Sequence, residues 1–246
     1  STIQGLGLPA RIAVMRFASG AQVILGDIGG NIISVDVDGK LLWNNENVFS
    51  GEIRGLDDAL VNGESLLAII DRDGKVAVFN DQGQVLWEYL ASGDLRRMRT
   101  YDLDGNRNSE LLIGGENNAL VALDASSGQV LFERPLGQTV TEIRSFELDG
   151  DPSSLEIVVG GKNGGVWAFT ASGGKLWSAS VSDKVNEIVG IDLDQDGRDE
   201  VVIGDDTGAV NLFSNDGDRH KLFELGSGGA RLHIGKLGSG RRLAAA

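Results

Sequence analysis

The sequence contains no cysteine among its 246 residues. This excludes a disulfide framework, a thiolate metal site and a cysteine nucleophile. Proline is scarce, with 3 residues, and no apolar run approaches the roughly 20 residues that a membrane-spanning helix needs. An initiator methionine and a charged leader followed by an apolar stretch are also missing. We therefore expect a chain cut from a longer one, whose original targeting segment is not visible.

Positive charge is scarce as well. Lysine and arginine total 22 against 36 aspartates and glutamates, which gives a net charge of −14. Such an acidic chain repels nucleic-acid phosphates and anionic membrane surfaces, so neither is an expected partner. The hydrophobic fraction of 41% is ordinary and can supply a core. The 36 glycines indicate many tight turns.

Five segments of the chain repeat one design. Each has an alternating apolar run, a polar turn that contains glycine, and a second short run that closes on an aromatic residue. The closing aromatics lie 44, 45, 45 and 46 residues apart: Trp43, Trp87, Phe132, Trp177 and Phe223. Two further apolar runs precede each pair, and no window has a convincing helical period. The sequence therefore predicts an all-β chain with four strands per unit.

Four short strands repeated every 40–50 residues are typical of a β-propeller. We predict a single domain over residues 1–246. The runs are apolar on both faces, as sheets packed between neighbours require. A β-sandwich, the alternative, would not repeat its sequence five times. The predicted repeats cover approximately residues 11–50, 51–95, 96–140, 141–185 and 186–229.

The two ends fit the repeat less well, since 246/45 is about 5.5 units. Residues 230–246 align with the first two strands of a sixth unit, and residues 1–10 occupy the place of its last strand. Two interpretations are open: the termini form a partial sixth blade, or the chain is a fragment of a longer propeller. Exposed edge strands in such a fragment would favour a homo-oligomer.

Glycine marks the turn inside each repeat. The pairs stand where two-residue hairpins need a positive φ. We therefore predict two-residue hairpins at Asp38-Gly39, Gln82-Gly83, Ser127-Gly128, Gly173-Gly174 and Asp216-Gly217.

An acidic loop joins the first two strands of the fifth unit. Oxygen donors stand at positions 1, 3, 5 and 9, Gly197 stands at position 6, and a backbone carbonyl at position 7 is a further donor. In order, these candidate ligands are Asp192, Asp194, Asp196, Glu200 and the carbonyl of Arg198. Alternate residues of a tightly curved loop point inward, and calcium takes six to eight oxygen ligands. The spacing therefore predicts a structural calcium ion.

The third unit repeats these spacings with Asp102, Asp104, Asn106, Asn108 and Glu110. Its turn is less well matched, since Gly105 stands at position 4. The fourth unit keeps Glu147, Asp149 and Asp151, but Pro152 and an inserted residue before Glu156 disturb its far side. The first and second units lack the pattern. The alternative for each loop is a solvated turn in which aspartates cap backbone N–H groups.

Two of these loops also carry a family resemblance. DLDGNRNSELLIGG and DLDQDGRDEVVIG resemble the FG-GAP/VCBS repeats of integrin α-chains and bacterial surface proteins, and VALDASSGQVLF and AFTASGGKLW resemble quinoprotein (PQQ-like) repeats. The resemblance covers nearly the whole chain and implies a propeller. By analogy it implies calcium at Asp192, Asp194, Asp196 and Glu200, and a secreted, periplasmic or cell-surface protein. It says little about function, since such propellers have many roles.

An arginine recurs at one position of three first strands. Arg54, Arg99 and Arg144 have Glu52, Glu142 and Glu187 nearby in sequence. One interpretation is an anion-binding ring. The alternative, which we favour, is a set of Arg–Glu pairs between units.

No motif of an enzyme is present: the chain has no G-x-S-x-G, P-loop or HExxH. We therefore predict a non-enzymatic interaction module that binds a protein partner through loops on one face. Examples of these loops are residues 44–51, 91–97 and 181–187. Three alternatives remain: a carbohydrate-active enzyme with unplaced paired carboxylates, a lectin, and a fragment that oligomerises through its edge strands.

Overall fold

The computed structural model describes residues 7–46, 48–225, 229–230, 232–237 and 240–245. In these residues the chain forms strands and no helix. The strands assemble into five four-stranded antiparallel sheets, here called blades one to five, and one two-stranded sheet. The predicted all-β propeller repeat is thus confirmed. Residues 1–6, which the prediction assigns to a sixth unit, lie outside the described part.

Each blade is an antiparallel meander in which consecutive strands pair. Blade one comprises β1 (Pro9–Phe17), β2 (Gly20–Asp27), β3 (Ile32–Val35) and β4 (Leu41–Asn45). Blade two comprises β5 (Ile53–Val61), β6 (Glu64–Asp71), β7 (Lys75–Phe79) and β8 (Val85–Leu90). Blade three comprises β9 (Leu95–Tyr101), β10 (Glu110–Gly115), β11 (Ala119–Asp124) and β12 (Val130–Pro135).

The remaining strands follow the same order. Blade four comprises β13 (Val140–Phe146), β14 (Glu156–Gly161), β15 (Gly165–Phe169) and β16 (Lys175–Ser180). Blade five comprises β17 (Val185–Ile191), β18 (Glu200–Asp205), β19 (Ala209–Phe213) and β20 (Arg219–Glu224). The last sheet pairs β21 (Leu232–Leu237) with β22 (Gly240–Ala245).

The chain divides into two compact units. The first comprises Ser1–Asp102, Asn106–Asn117 and Val121–Glu133, and the second comprises Leu103–Gly105, Asn118–Leu120 and Arg134–Ala246. Blades one and two lie in the first unit, and blades four and five lie in the second.

In each unit the core lies between consecutive blades. In the first, Met15 and Ile24 of blade one pack with Leu67 and Phe79 of blade two. In the second, the packed residues of blades four and five include Val158, Ala168, Ile188, Ile203 and Phe213. The middle strands β10, β14 and β18 are buried along their whole length. They are buried because each face of such a strand meets a different neighbour.

The predicted two-residue hairpins are wrong. In the first of these turns the amide of Asp36 donates to the carbonyl of Lys40 at 2.9 Å, so the turn spans more residues than predicted. Its glycine, Gly39, has a positive φ of 79°, whereas Asp38 does not. The carboxylate of Asp36 accepts the amides of Asp38 and Lys40. A side chain that caps the turn together with one left-handed glycine replaces the paired positive φ angles of a two-residue loop.

The closing tryptophans connect one blade to the hairpin of the next. The indole Nε1 of Trp43 donates to the carbonyl of Asp81 at 3.0 Å, Trp87 donates to Ala125 at 2.8 Å, and Trp177 donates to Asn215 at 2.8 Å. The indoles also lie against the hairpin glycine that follows. A Cβ on Gly128 would come within 2.6 Å of Trp87. The spacing of 38 residues is the same in all three bonds.

We expect Trp87→Phe to lower the free energy of unfolding by about 1 kcal/mol, because it keeps a ring but removes the bond to Ala125. Urea unfolding measures the change. Trp167→Phe is the control, since that indole lies over Gly165 of its own blade. Equal losses in the two variants would contradict a role for the hydrogen bond between blades.

Candidate metal loops

The loop of residues 192–200 joins β17 to β18 and gathers three carboxylates. One oxygen each of Asp192, Asp194 and Glu200 lies within 4.8 Å of the others. Backbone N–H groups fix the loop around them: the amide of Gly197 donates to Asp192 Oδ2 at 3.2 Å, and that of Leu193 donates to Glu200 Oε2 at 2.8 Å. Of the other predicted ligands, Asp196 accepts the amide of Arg198 at 2.9 Å.

The loop of residues 102–110 has the same arrangement. Oxygens of Asp102, Asp104 and Glu110 lie within 4.8 Å of one another. The two asparagines predicted as metal ligands each accept a hydrogen bond from a backbone amide. Asn106 Oδ1 accepts the amide of Asn108 at 2.7 Å, and Asn108 Oδ1 accepts the amide of Asn62 from the β5–β6 turn at 2.7 Å.

A third cluster occurs in the fourth blade, where the spacing predicts a disturbed loop. Oxygens of Glu147, Asp149 and Glu156 lie within 4.8 Å of one another. Asp151 caps the turn instead of joining the cluster, since its Oδ1 accepts both the amide and the hydroxyl of Ser153. The inserted residue is accommodated in this turn, so the two ends of the loop still meet.

The first residue of each loop carries a buried oxygen that has no hydrogen-bond partner. These atoms are Asp102 Oδ1, Glu147 Oε2 and Asp192 Oδ1. The other oxygen of each carboxylate accepts an amide of its own loop, at 2.9, 2.6 and 3.2 Å respectively. A buried carboxylate oxygen without a donor is costly. Three orphaned oxygens, each in a set of three carboxylates, are chemically suited to a hard divalent cation.

Electrostatics in the loops points in the same direction. Burial raises the pKa of the Glu200 carboxyl, and the charges of Asp194, Asp196 and Asp192 raise it further against the opposing bond from Leu193. Burial likewise raises the pKa of Glu156, with added repulsion from Asp149 and Glu147. Like charges therefore crowd the loops of blades four and five, and a cation would relieve their repulsion.

The opposite edge of the blades carries aspartates that the sequence analysis missed. Asp27, Asp71 and Asp205 end the second strands of their blades and are fully buried. Asp71 Oδ1 accepts the amides of Asp73 and Lys75, and its Oδ2 accepts the amide of Gly51 from the connector between blades. The sequence signal that could have identified them is the aspartate at the last position of three of the five second strands.

Asp205 fixes the connector before blade five in the same way. Its Oδ2 accepts the amide of Ser182 at 3.2 Å, and its Oδ1 accepts those of Thr207 and Ala209. The connectors 45–53 and 180–185 are thus tied to the blades by bonds to buried aspartates. The connector 90–95 is tied by backbone bonds instead, from the amide of Ala91 to the carbonyl of Gly74 and from the amide of Glu116 to the carbonyl of Asp94. These three connectors contain most of the predicted partner loops. Asn47 of the first loop lies outside the described residues.

The recurrent arginines form ion pairs between blades. Arg144 of blade four pairs with Glu142 and, at 2.9 Å, with Glu187 of blade five. Arg54 pairs with Glu52 at 3.2 Å and with Asp94 at 3.5 Å. The favoured interpretation, Arg–Glu pairs between units, is therefore confirmed for Arg144, whereas Arg54 reaches the next connector through an aspartate.

A protein-family model described as outer membrane protein assembly factor BamB (PQQ_2) matches residues 9–184 and, in a second alignment, residues 72–235. These matches span most of the chain. The chain belongs to the BamB family. The predicted resemblance to PQQ-like repeats is confirmed by this match, whereas the resemblance to FG-GAP/VCBS repeats stays a prediction. No curated protein matches this BamB-family chain.

Solved structures share the fold at low sequence identity. The computationally designed Ika8 protein aligns with a TM-score of 0.70 and 17% identity, over 93% of this chain and 65% of its own. BBS1N in complex with ARL6DN aligns with a TM-score of 0.65 and 14% identity, over 96% of this chain and 73% of its own. Chaetomium thermophilum Sqt1, bound to the N-terminus of ribosomal protein L10, aligns with a TM-score of 0.71 and 14% identity, over 96% of this chain and 68% of its own. The BamB-family chain thus spans about two thirds to three quarters of these structures.

Among the described residues of this BamB-family chain, no helix has the length and apolarity needed to span a membrane.

The buried aspartates generate a prediction about pH. Burial raises the pKa of Asp27, but hydrogen bonds from the Asn31 side chain and the amides of Gly7, Asn31 and Gly29 outweigh it, and the net pKa is lowered. A lowered folded-state pKa gives stability that is present above the ordinary aspartate pKa and lost as pH falls through the folded-state value.

We expect Asp27→Asn to lower the free energy of unfolding by about 2 kcal/mol at pH 7, because amides bound to a charged acceptor lose that charge. The difference from the parent should shrink as pH falls below the ordinary aspartate pKa. Urea unfolding at a series of pH values measures this. Asp38→Asn, an exposed aspartate in the same blade, is the control. A loss for Asp27→Asn that stays constant with pH would contradict the assignment.

Proposed function

We propose that this BamB-family chain is a non-enzymatic interaction module. It binds a protein partner with the connector edge of its blades and binds calcium in the acidic loops at the opposite edge. The observation that carries the calcium part is the recurrence of one orphaned, buried carboxylate oxygen in each of three acidic clusters.

The residues that would hold calcium are the carboxylates of each cluster, with backbone carbonyls and water completing the oxygen shell. When bound, the ion would supply positive charge that neutralises the crowded carboxylates. The role proposed for the ion is structural, because each cluster lies in the loop that joins the first two strands of its blade. A non-enzymatic role is further supported by the lack of catalytic motifs in the sequence.

The partner part of the proposal rests on how the connectors are held. Amides of Gly51 and Ser182 are bound by carboxylates that are fully buried. Loops fixed in this way lose little conformational entropy when they bind. The family description names an outer membrane assembly factor, so we propose a protein component of that machinery as the partner. The similar structures of BBS1N and Sqt1 are complexes with other proteins.

A second candidate is self-assembly. Ile12 and Val14 of β1 are each 68% exposed, whereas Ile143 and Ile188, at the position that corresponds to Ile12, are fully buried. Ile12 faces the same way as its cross-strand partner Leu25. This side of blade one is therefore apolar in a manner that elsewhere accompanies packing against another blade.

Calcium should raise the unfolding temperature of the parent chain. At a calcium concentration of 100 times the Kd, each ion stabilises the folded state by about 2.7 kcal/mol. We expect Asp194→Asn to abolish the calorimetric heat of the site in blade five and to reduce the thermal shift. In EDTA the same variant should be as stable as the parent or more so, because it removes a repulsive charge.

Asp183→Asn is the matched control, since Asp183 is exposed in a connector of the same blade. It should keep the full calcium response. A parent chain that gives no heat and no thermal shift with calcium would overturn the calcium part of the proposal.

Photo-cross-linking tests the partner edge. A benzophenone amino acid at the exposed positions Ser92 or Ser182 should cross-link a component of the outer-membrane assembly machinery in cells of the source organism. The same group at Gln195, in an acidic loop at the other edge, should not. Products from Gln195 alone would contradict the assignment of the edge. A product of twice the chain's mass would instead support self-assembly.

A further inference from the structure

The acidic loops are bonded to one another along the chain of blades. In each loop the residue just before the last glutamate donates its amide to a carbonyl of the preceding blade. These bonds run from Ser109 to Leu60 at 2.7 Å, from Leu155 to Leu103 at 2.8 Å and from Asp199 to Glu147 at 2.6 Å. The acceptors Leu103 and Glu147 belong to acidic loops themselves. The loop of blade five therefore rests on the loop of blade four.

Glu147 takes part in both loops. Its Oε1 accepts the amide of Gly150 at 2.6 Å, and its Oε2 is the orphaned oxygen of the blade-four cluster. Its carbonyl oxygen accepts the amide of Asp199, which directly precedes Glu200 of the blade-five cluster. The backbone position of one proposed ligand is thus fixed by the residue beside another.

Arg198 makes a second connection. A Cβ on Gly150 would lie 3.1 Å from Arg198 Nε, so the guanidinium lies directly over this glycine. Gly150 has a positive φ of 88°, and its amide is the one that Glu147 accepts. The carbonyl of Arg198 is itself a predicted ligand of the blade-five loop. One residue therefore spans both loops.

We infer that the cation sites of blades four and five are positively coupled through Glu147 and Arg198. This inference rests on the proposed function, since it requires that both loops bind calcium. An ion in the blade-five loop holds the backbone of Arg198 and Asp199, and these residues contact Gly150 and Glu147 of the blade-four loop. Either ion therefore holds the shared residues in the positions that the other site uses, which makes the second binding event more favourable.

Arg198→Gln separates this coupling from simple electrostatics. Removal of a positive charge next to the blade-four loop should tighten calcium binding if charge alone matters. If Arg198 couples the sites, the same change should weaken it. We expect the calcium affinity of the blade-four site to fall about fivefold or more. Calorimetry with calcium chloride on the whole chain measures the affinity, and Glu156→Gln identifies which heat belongs to that site.

Lys184→Gln is the matched charge control, because Lys184 pairs with Asp206 in the same unit and lies in a connector. It should leave the blade-four affinity unchanged. The cycle is completed in an Asp194→Asn background, in which the blade-five loop no longer fills. There Arg198→Gln should no longer weaken the blade-four site, so the two changes should be non-additive.

Circular dichroism should show that every variant keeps the strand spectrum of the parent. Two calcium ions that bind independently, with Arg198→Gln neutral or tightening, would overturn the coupling and leave the proposed function standing. A parent chain that binds no calcium would overturn both. Weaker binding at the blade-four site in Arg198→Gln, lost in the Asp194→Asn background, would support the coupling.

Discussion

The structure depends on one constraint: middle strands such as β10, β14 and β18 are buried on both faces. Such a sheet cannot be stable alone, since burying only one face leaves the other in water. Blade one therefore packs Met15 and Ile24 against Leu67 of blade two, and blade four packs Val158 against Ile203 of blade five. The indole bonds, the arginine pairs and the loop amides all connect consecutive blades. The hydrophobic effect requires that the blades pack together, and these polar contacts fix how consecutive blades are aligned.

The buried carboxylates at the two edges of the blades differ in how their oxygens are hydrogen-bonded. At the connector edge, Asp71 and Asp205 receive N–H bonds on both oxygens, and the similar bonds to Asp27 hold its pKa below the ordinary value. At the other edge, carboxylates face carboxylates, and the pKa of Glu200 lies above its ordinary value. The chain itself satisfies these three aspartates of the first edge, although Asp94 Oδ1, in the connector before blade three, is buried without a hydrogen-bond partner. The second edge has an excess of acceptors that the chain's own donors do not balance.

The sequence predicts the blades well because the signal is repeated five times and depends on strand period and turn composition. It fails where one side chain decides the local geometry. The turn at Asp36 is longer than two residues because its carboxylate caps the amide of Lys40. The sequence predicts a disturbed loop around Glu156, because an inserted residue changes the spacing there. In the structure the two ends of the loop nevertheless meet, and Glu156 joins the cluster. The amide of Asp199 could not be assigned at all, because a backbone donor carries no sequence signature.

In a repeat structure the stability of the whole is approximately a sum of the stability of each unit and of the contacts between neighbours. The acidic loops contribute to the second kind of term, because the amide beside each terminal glutamate reaches the preceding blade. Blades one and two lack the acidic pattern, and the loop between β5 and β6 is a tight turn at Asn62. A cation in these loops would therefore act unevenly along the chain. It would strengthen contacts of the later blades, whereas blades one and two are joined by packing and by the chain's own hydrogen bonds, such as that of Trp43 to Asp81.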